Sequence, residues 1–327
     1  MKNPILSYLY NNQFLTTLII IAVVWFMIQI KAILILAFVS FIIMTALYPF
    51  TAFLSSKKIP NILAVLIPYL LTLVIIVSIV IPLVPFFASQ IQSLFDSFPS
   101  YINRVAKLLN LHIDANDVEN FITSDINAVG KSALDITGRV FGGIFSLLTI
   151  LVISFYLMLG RNRLRKGFVE LFPKESESKV LNIIHLVEKN LGAWTRGQLV
   201  LSFTIGIVTW IGLTAFGIPF ALPLALIAGL LEIVPTIGPI IAAIPAIIVA
   251  LTISPNTAIF VTLFYLLVQA LENNILVPKI MEKAVGLNPV AVIIGVLIGA
   301  QFLGILGALL AVPFISMILV IIKSLKS

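Results

Sequence analysis

Residues 223–251 read PLALIAGLLEIVPTIGPIIAAIPAIIVAL. The stretch is apolar enough and long enough to cross a bilayer, which takes about 20 such residues. Yet it carries one carboxylate, Glu232, and a break, Pro235-Thr236-Ile237-Gly238-Pro239, in its middle. Proline removes a helix donor and clashes with the preceding turn. Within hydrocarbon, backbone groups freed in this way are tolerated only where protein or a wet cavity surrounds them. An ionisable residue at membrane depth points to a functional site. An acid at a broken helix is one way in which secondary transporters build a solute site.

The rest of the chain has the same character. Apolar residues make up 61% of it and charged residues 10%, against about 25% charged in an average soluble domain. With a mean hydropathy of +1.18, the fold class is an all-α polytopic membrane protein. Its 327 residues leave room for roughly seven to nine membrane segments, broken helices or re-entrant hairpins among them. Residues 1–89 carry N-terminal transmembrane segments, and 90–140 form a small extracytoplasmic helical insert. Residues 141–160 are one transmembrane helix, 161–196 a basic cytoplasmic loop, and 197–327 a core with broken helices. The runs at 223–251 and 289–323 read equally as re-entrant hairpins or as full spans. Residues 1–13, with Lys2 as their one charge, do not read as a cleavable signal peptide.

Charge sets the orientation. Lys57 and Lys58, then Arg161, Arg163, Arg165 and Lys166, then Lys279 and Lys283, and last Lys323 and Lys326 all follow apolar runs. Placing all four clusters in the cytoplasm satisfies the positive-inside rule and puts both termini there, in the plasma (inner) membrane. The net charge of +7 is therefore an orientation signal and no mark of nucleic-acid binding. In the insert, Ile91, Leu94, Phe95, Phe98, Ile102, Val105 and Leu108 recur at helical spacing, and Asp114 is placed to cap a second helix. On the inner loop, Val180, Ile183, Ile184, Val187 and Leu191 form an apolar stripe suited to the inner leaflet or the bundle base. Gly138 with Gly142, and Gly295 with Gly299, have the spacing at which membrane helices approach closely.

No enzymatic constellation is present. His112 and His185 are the two histidines, and there is no HExxH, no GxSxG and no Walker loop. The absence of cysteine excludes disulfides and thiol chemistry. The expectation is a non-enzyme without catalytic residues, metal site or cofactor, with Na⁺ or H⁺ as possible coupling ions. The residues that stand out are polar ones at membrane depth. Beyond Glu232, they are Gln269, Glu272 and Asn273, which at i, i+3 and i+4 share one helix face, with Asn274 turned about 100° away. Asn288 before Pro289 reads as an N-cap with proline at the first helical position, and Gln301 lies deeper in that run. A charge at the bilayer centre costs at least about 2.5 kcal/mol. Keeping Glu232 and Glu272 there therefore calls for a function.

The block GLLEIVPTIGPIIAAIPA at 229–246 resembles the E-[IFV]-[IV]-P-x-[IL]-G-P signature of the autoinducer-2 exporter family, also called the PerM-type permeases. YLMLGRNRLRKGFVELFP at 156–173, LGAWTRGQL at 191–199, QALENNILVPKIMEKAVGLNPV at 269–290 and LGILGALLAVPF at 303–314 are similar to that family's successive conserved stretches. The resemblance implies a multi-span helical transporter and homo-oligomers. Some members are associated with export of the furanone-type quorum signal and others with sodium–proton antiport. The motif carries over Glu232, Pro235, Gly238, Pro239, Glu272, Asn273, Pro278 and Pro289, whereas Thr236 stands where an aromatic is frequent. The resulting expectation is a secondary transporter in contact with lipid that moves a small polar solute outward. The alternatives are a monovalent cation–proton antiporter and a non-transporting membrane scaffold. The expected solute or ion site comprises Glu232, Pro235, Gly238, Pro239, Gln269, Glu272, Asn273, Asn288, Pro289 and Gln301.

Overall fold

A computed structural model describes residues 13–108, 133–235, 237–280 and 289–326. Regular structure among them is helical throughout. The helices are α1 (Gln13–Gln29), α2 (Lys31–Ser56), α3 (Asn61–Leu108), α4 (Ala133–Leu159), α5 (Arg161–Val169), α6 (Glu177–Ala215), α7 (Ala221–Leu231), α8 (Ile237–Ile253), α9 (Pro255–Leu271), α10 (Val277–Ile280) and α11 (Pro289–Lys326). A 3₁₀ turn, Lys174–Ser176, leads into α6, and a π-helical segment, Glu272–Leu276, joins α9 to α10.

Five helices are long and apolar enough to cross a membrane, six if the 69° bend between α4 and α5 lies within one span. Thr16–Gln29, Ala221–Leu231 and Ile237–Ile253 are shorter apolar helices. Five or six full spans are fewer than the roughly seven to nine membrane segments expected, a count that included broken helices and re-entrant hairpins. Two features of the fold separate segments from full spans. First, α7 has 11 residues and rises only about 16 Å, well short of an apolar layer about 30 Å thick. Second, α11 folds back on itself. Gly304 adopts φ 61°, ψ −144°, a region open essentially to glycine alone. Beyond it the backbones of Gly299 and Gly307 meet, and Ile315 packs over Gly295. The chain from 289 to 326 is therefore an antiparallel hairpin, and the close approach expected at Gly295 and Gly299 is the contact within it. The other glycine pair behaves differently. Nothing stands within 4 Å of a side chain added at Gly142, so no close packing occurs there among the described residues.

α3 contains the helix expected at the start of the insert. It runs unbroken from Asn61 to Leu108, about 70 Å, so the helical spacing of the insert's first half belongs to the continuation of a membrane helix. The insert's second half, with Asp114, lies outside the described residues. Short polar contacts tie the N-terminal helices to the rest. Tyr69 of α3 hydrogen-bonds Ser154 of α4 at 2.7 Å. Arg161 of α5 sits over the Tyr48 ring of α2, 3.7 Å from its centroid. Arg161 and Arg165 both donate to Glu188 of α6, through their Nε atoms at 2.9 and 3.0 Å.

The core lies around α6 to α9. α6 packs antiparallel on α7, with Gly206 against Gly229, and α7 returns into α8. Ser254 caps α9 by accepting from the Thr257 amide at 3.0 Å, with Pro255 at the first helical position. α9 runs back along α6, packing Val268 with Leu201 and Ile205. The α11 hairpin closes the group, setting Val292, Val296, Ala311 and Val312 on Trp194 of α6 and on Val234 and Ile237. Its end returns to the start of α6, where Lys179 donates to the Leu325 carbonyl at 3.2 Å.

Candidate functional site: a buried carboxyl pair at a helix break

α7 ends because Pro235 cannot continue it. Ile233 and Val234 donate to the Leu230 and Leu231 carbonyls in tight three-residue turns, and the Gly238 amide reaches the Val234 carbonyl at 2.9 Å. The chain then turns so sharply that any side chain at Gly238 would fall on the Leu231 carbonyl. This turn holds Glu232 at the base of α7, 0% exposed. Gln198 of α6 donates to the Glu232 carbonyl at 2.6 Å, satisfying one backbone group that the break releases.

The second acid arrives from α9. At Glu272 the helix widens into five residues of π-helix, an irregularity often found at functional sites. Glu272 is 3% exposed, and its carboxyl lies within interaction range of that of Glu232. Gln269 reaches back to Glu272 Oε2 at 3.3 Å. Neither carboxyl oxygen of Glu232 has a hydrogen-bond partner among the described residues. No arginine or lysine among them pairs with either acid, because the ion pairs there are those of Glu188.

The structure gathers part of the expected site. Glu232, Gly238, Gln269 and Glu272 come together, with Pro235 and Pro239 half-buried at the break. Asn273, the next residue round the helix from the buried Glu272, is exposed. Asn274 is also exposed, and its amide donates to the Ala270 carbonyl at 2.8 Å. Gln301 is exposed on the first arm of α11, near the hairpin tip. Pro289 opens α11, while Asn288 lies outside the described residues.

Sequence reasoning passed over Gln198 and Arg196, although both lie in the quoted block 191–199. The signal available was an amide and a guanidinium in an otherwise apolar run. Arg196 donates to the Thr45 and Ala46 carbonyls of α2 at 3.3 and 3.1 Å. It also lines a cleft of about 210 Å³ with Tyr48, Arg161, His185 and Glu188.

A helix broken at an acid, joined by a second acid from a widened helix, is the arrangement around which the 229–246 and 269–290 blocks are built. The sequence model of the AI-2E family of transporters matches residues 14–327, nearly the whole chain. The chain belongs to that family. Among its relatives is YueF of Bacillus subtilis, provisionally named a transport protein, 27% identical over 279 residues that cover 80% of this chain and 75% of YueF. YrrI of the same organism, named in the same way, is 27% identical over 88% of this chain and 85% of its own. PerM of Escherichia coli, provisionally named a permease, is 27% identical over 72% of this chain and 68% of its own. This AI-2E family chain is thus a membrane protein of a transport family.

Proposed function

We propose that this AI-2E family protein is a secondary transporter that exports a small polar solute, of the furanone type its family resemblance suggests. In this reading Glu232 and Glu272 exchange the coupling ion. The observation that carries the proposal is the pair itself, two carboxyl groups buried together with no cationic side chain paired to them among the described residues. Two bare carboxylates side by side and out of water are heavily penalised, and a bound proton or monovalent cation relieves that penalty. Loading and unloading such an ion changes the charge of the break and of the helix ends that meet there, which couples ion occupancy to the packing of α7, α8 and α9. The scaffold alternative accounts for none of this, because a scaffold gains nothing from acids inside a bilayer.

Cation–proton antiport is supported by the same pair together with the Gln269 amide oxygen, since Na⁺ takes oxygen ligands. The protein is placed in the plasma membrane with both termini in the cytoplasm. The contact of Lys179 with the end of α11 supports one shared side for the basic loop and the C-terminus. Homo-oligomers are proposed from the family resemblance, and membrane lipid is the surrounding partner.

The test uses proteoliposomes loaded with the furanone-type signal. An imposed H⁺ or Na⁺ gradient is expected to accelerate its release over protein-free vesicles. Internal pH changes on Na⁺ addition without solute movement would favour the antiporter. No movement of solute or ions above the protein-free rate would overturn both.

A further inference from the structure

Hydroxyl groups on α6 behave in two ways. Thr195 and Thr204 donate to carbonyls one turn back, Leu191 at 2.8 Å and Val200 at 2.7 Å. This local bond is the usual way to satisfy a hydroxyl on a membrane helix. Ser202 and Thr209 do not make it. Their hydroxyl oxygens are buried without a hydrogen-bond partner among the described residues, as are Oε1 of Gln198 and the Tyr265 hydroxyl of α9. Thr209 is 1% exposed and Tyr265 9%, so bulk solvent does not reach them.

These four groups lie in order. Positions 198, 202 and 209 fall at i, i+4 and i+11, on one face of a helix. α9 runs antiparallel to α6 in a register fixed by Gly212 against the Phe264 ring. Tyr265 belongs to the same buried cluster as Leu213, which is itself about one turn along α6 from Thr209. At the inner end, Gln198 holds the Glu232 carbonyl beside the carboxyl pair. From there the row extends about 16 Å along α6 toward the α6–α7 turn. An orphaned buried hydroxyl is costly, and alanine, valine or phenylalanine in the same space would remove the cost. These side chains are therefore kept for something other than the protein's own backbone.

We infer that Gln198, Ser202, Thr209 and Tyr265 form a water-wetted path that carries protons between the Glu232–Glu272 pair and the α6–α7 end of the bundle. This rests on the coupling role proposed for the pair. A hydroxyl both donates and accepts, so a proton taken from a water on one side is matched by the release of the hydroxyl's own proton on the other. No group along the row needs to stay ionised, and the net event is one proton moved from water to a carboxylate. Neighbouring titratable groups are few. α7 and α8 carry none, α9 contributes Tyr265 itself, and Tyr101 of α3 packs at the outer end. Arg196 is turned away toward the α2 carbonyls.

The chain has no cysteine, so single cysteines report directly. Ser202→Cys and Thr209→Cys, both close in shape to the native residues, are reconstituted and exposed to a small charged methanethiosulfonate. Leu201→Cys and Phe203→Cys serve as controls at a buried apolar position and an outward-facing one, 2% and 72% exposed. Thiols react as thiolates, which form where water reaches them, so labelling at 202 and 209 is expected to be about tenfold or more faster than at either control. Labelling there no faster than at Leu201→Cys would overturn the path. A second arm removes hydroxyls while keeping shape. The Thr209→Val, Tyr265→Phe double variant is expected to lose about tenfold or more of pH-driven proton flux, read by an internal pH dye, with recovery on sizing unchanged. Wild-type flux in that variant would also overturn it. If the path fails while Glu232→Gln still abolishes ion-driven flux, the coupling site stands alone. If a Glu232→Gln, Glu272→Gln variant keeps wild-type flux, the coupling reading falls, and with it the proton's destination.

Discussion

At the scale of single residues, the site is defined by groups that the membrane penalises. Glu232 was legible from sequence because a lone acid beside proline in an apolar run is a local anomaly. Glu272 was legible for the same reason, but its meeting with Glu232 depends on α9 returning along α6, which no local pattern records. Asn273 shows the limit of helical arithmetic. The i, i+4 relation places it near the half-buried Gln269, yet one residue on from the buried Glu272 its side chain is turned roughly 100° away and is exposed. Gln198, Ser202 and Thr209 were hidden for another reason. A hydroxyl or amide in a helix is ordinarily satisfied nearby, and only the fold shows which ones are not. Gln198 tests this scale. In Gln198→Leu the buried Glu232 carbonyl loses its partner, at a cost of about 1–3 kcal/mol. A lowered unfolding midpoint in detergent is the expected outcome, and an unchanged midpoint would show that the carbonyl finds another donor.

At the scale of elements, two reversals shape the core. The α7–α8 turn and the α11 hairpin each bring backbone against backbone, at Gly238 on the Leu231 carbonyl and at Gly299 on Gly307. Gly238→Ala is expected to force α7 and α8 apart and so displace Glu232. Ion-driven flux should fall sharply while the protein is still recovered from the membrane. Gly143→Ala, where nothing stands within 4 Å, is the matched substitution expected to change little. Equal flux in the two variants would mean that the turn tolerates a methyl group. The break at Pro235 and Gly238 was readable, since both punctuate a long apolar run. Span number was not. An apolar run of 35 residues reads the same whether it crosses once or folds back, and the helical spacing at 91–108 does not show whether that helix is separate or, as here, continuous with the membrane helix before it.

At the scale of the whole molecule, the fold class and family followed from composition and motif, because a chain with so few charges has no soluble way to fold. Orientation is testable with the same cysteine-free background. Ser178→Cys at the start of α6 is expected to react with an impermeant reagent only from the cytoplasmic side, and Arg104→Cys at the far end of α3 only from outside. The reverse pattern would invert the topology. The carboxyl pair remains the centre of the account. Its most direct test is flux across an imposed pH or Na⁺ gradient in proteoliposomes, comparing wild type with the Glu232→Gln, Glu272→Gln double variant and normalising to protein recovered on sizing. Glutamine keeps size and hydrogen bonding but cannot ionise. The expected result is loss of all gradient-dependent flux from a variant that still folds. Wild-type flux with unchanged ion dependence would contradict the coupling role and leave passive movement through a polar pathway in its place.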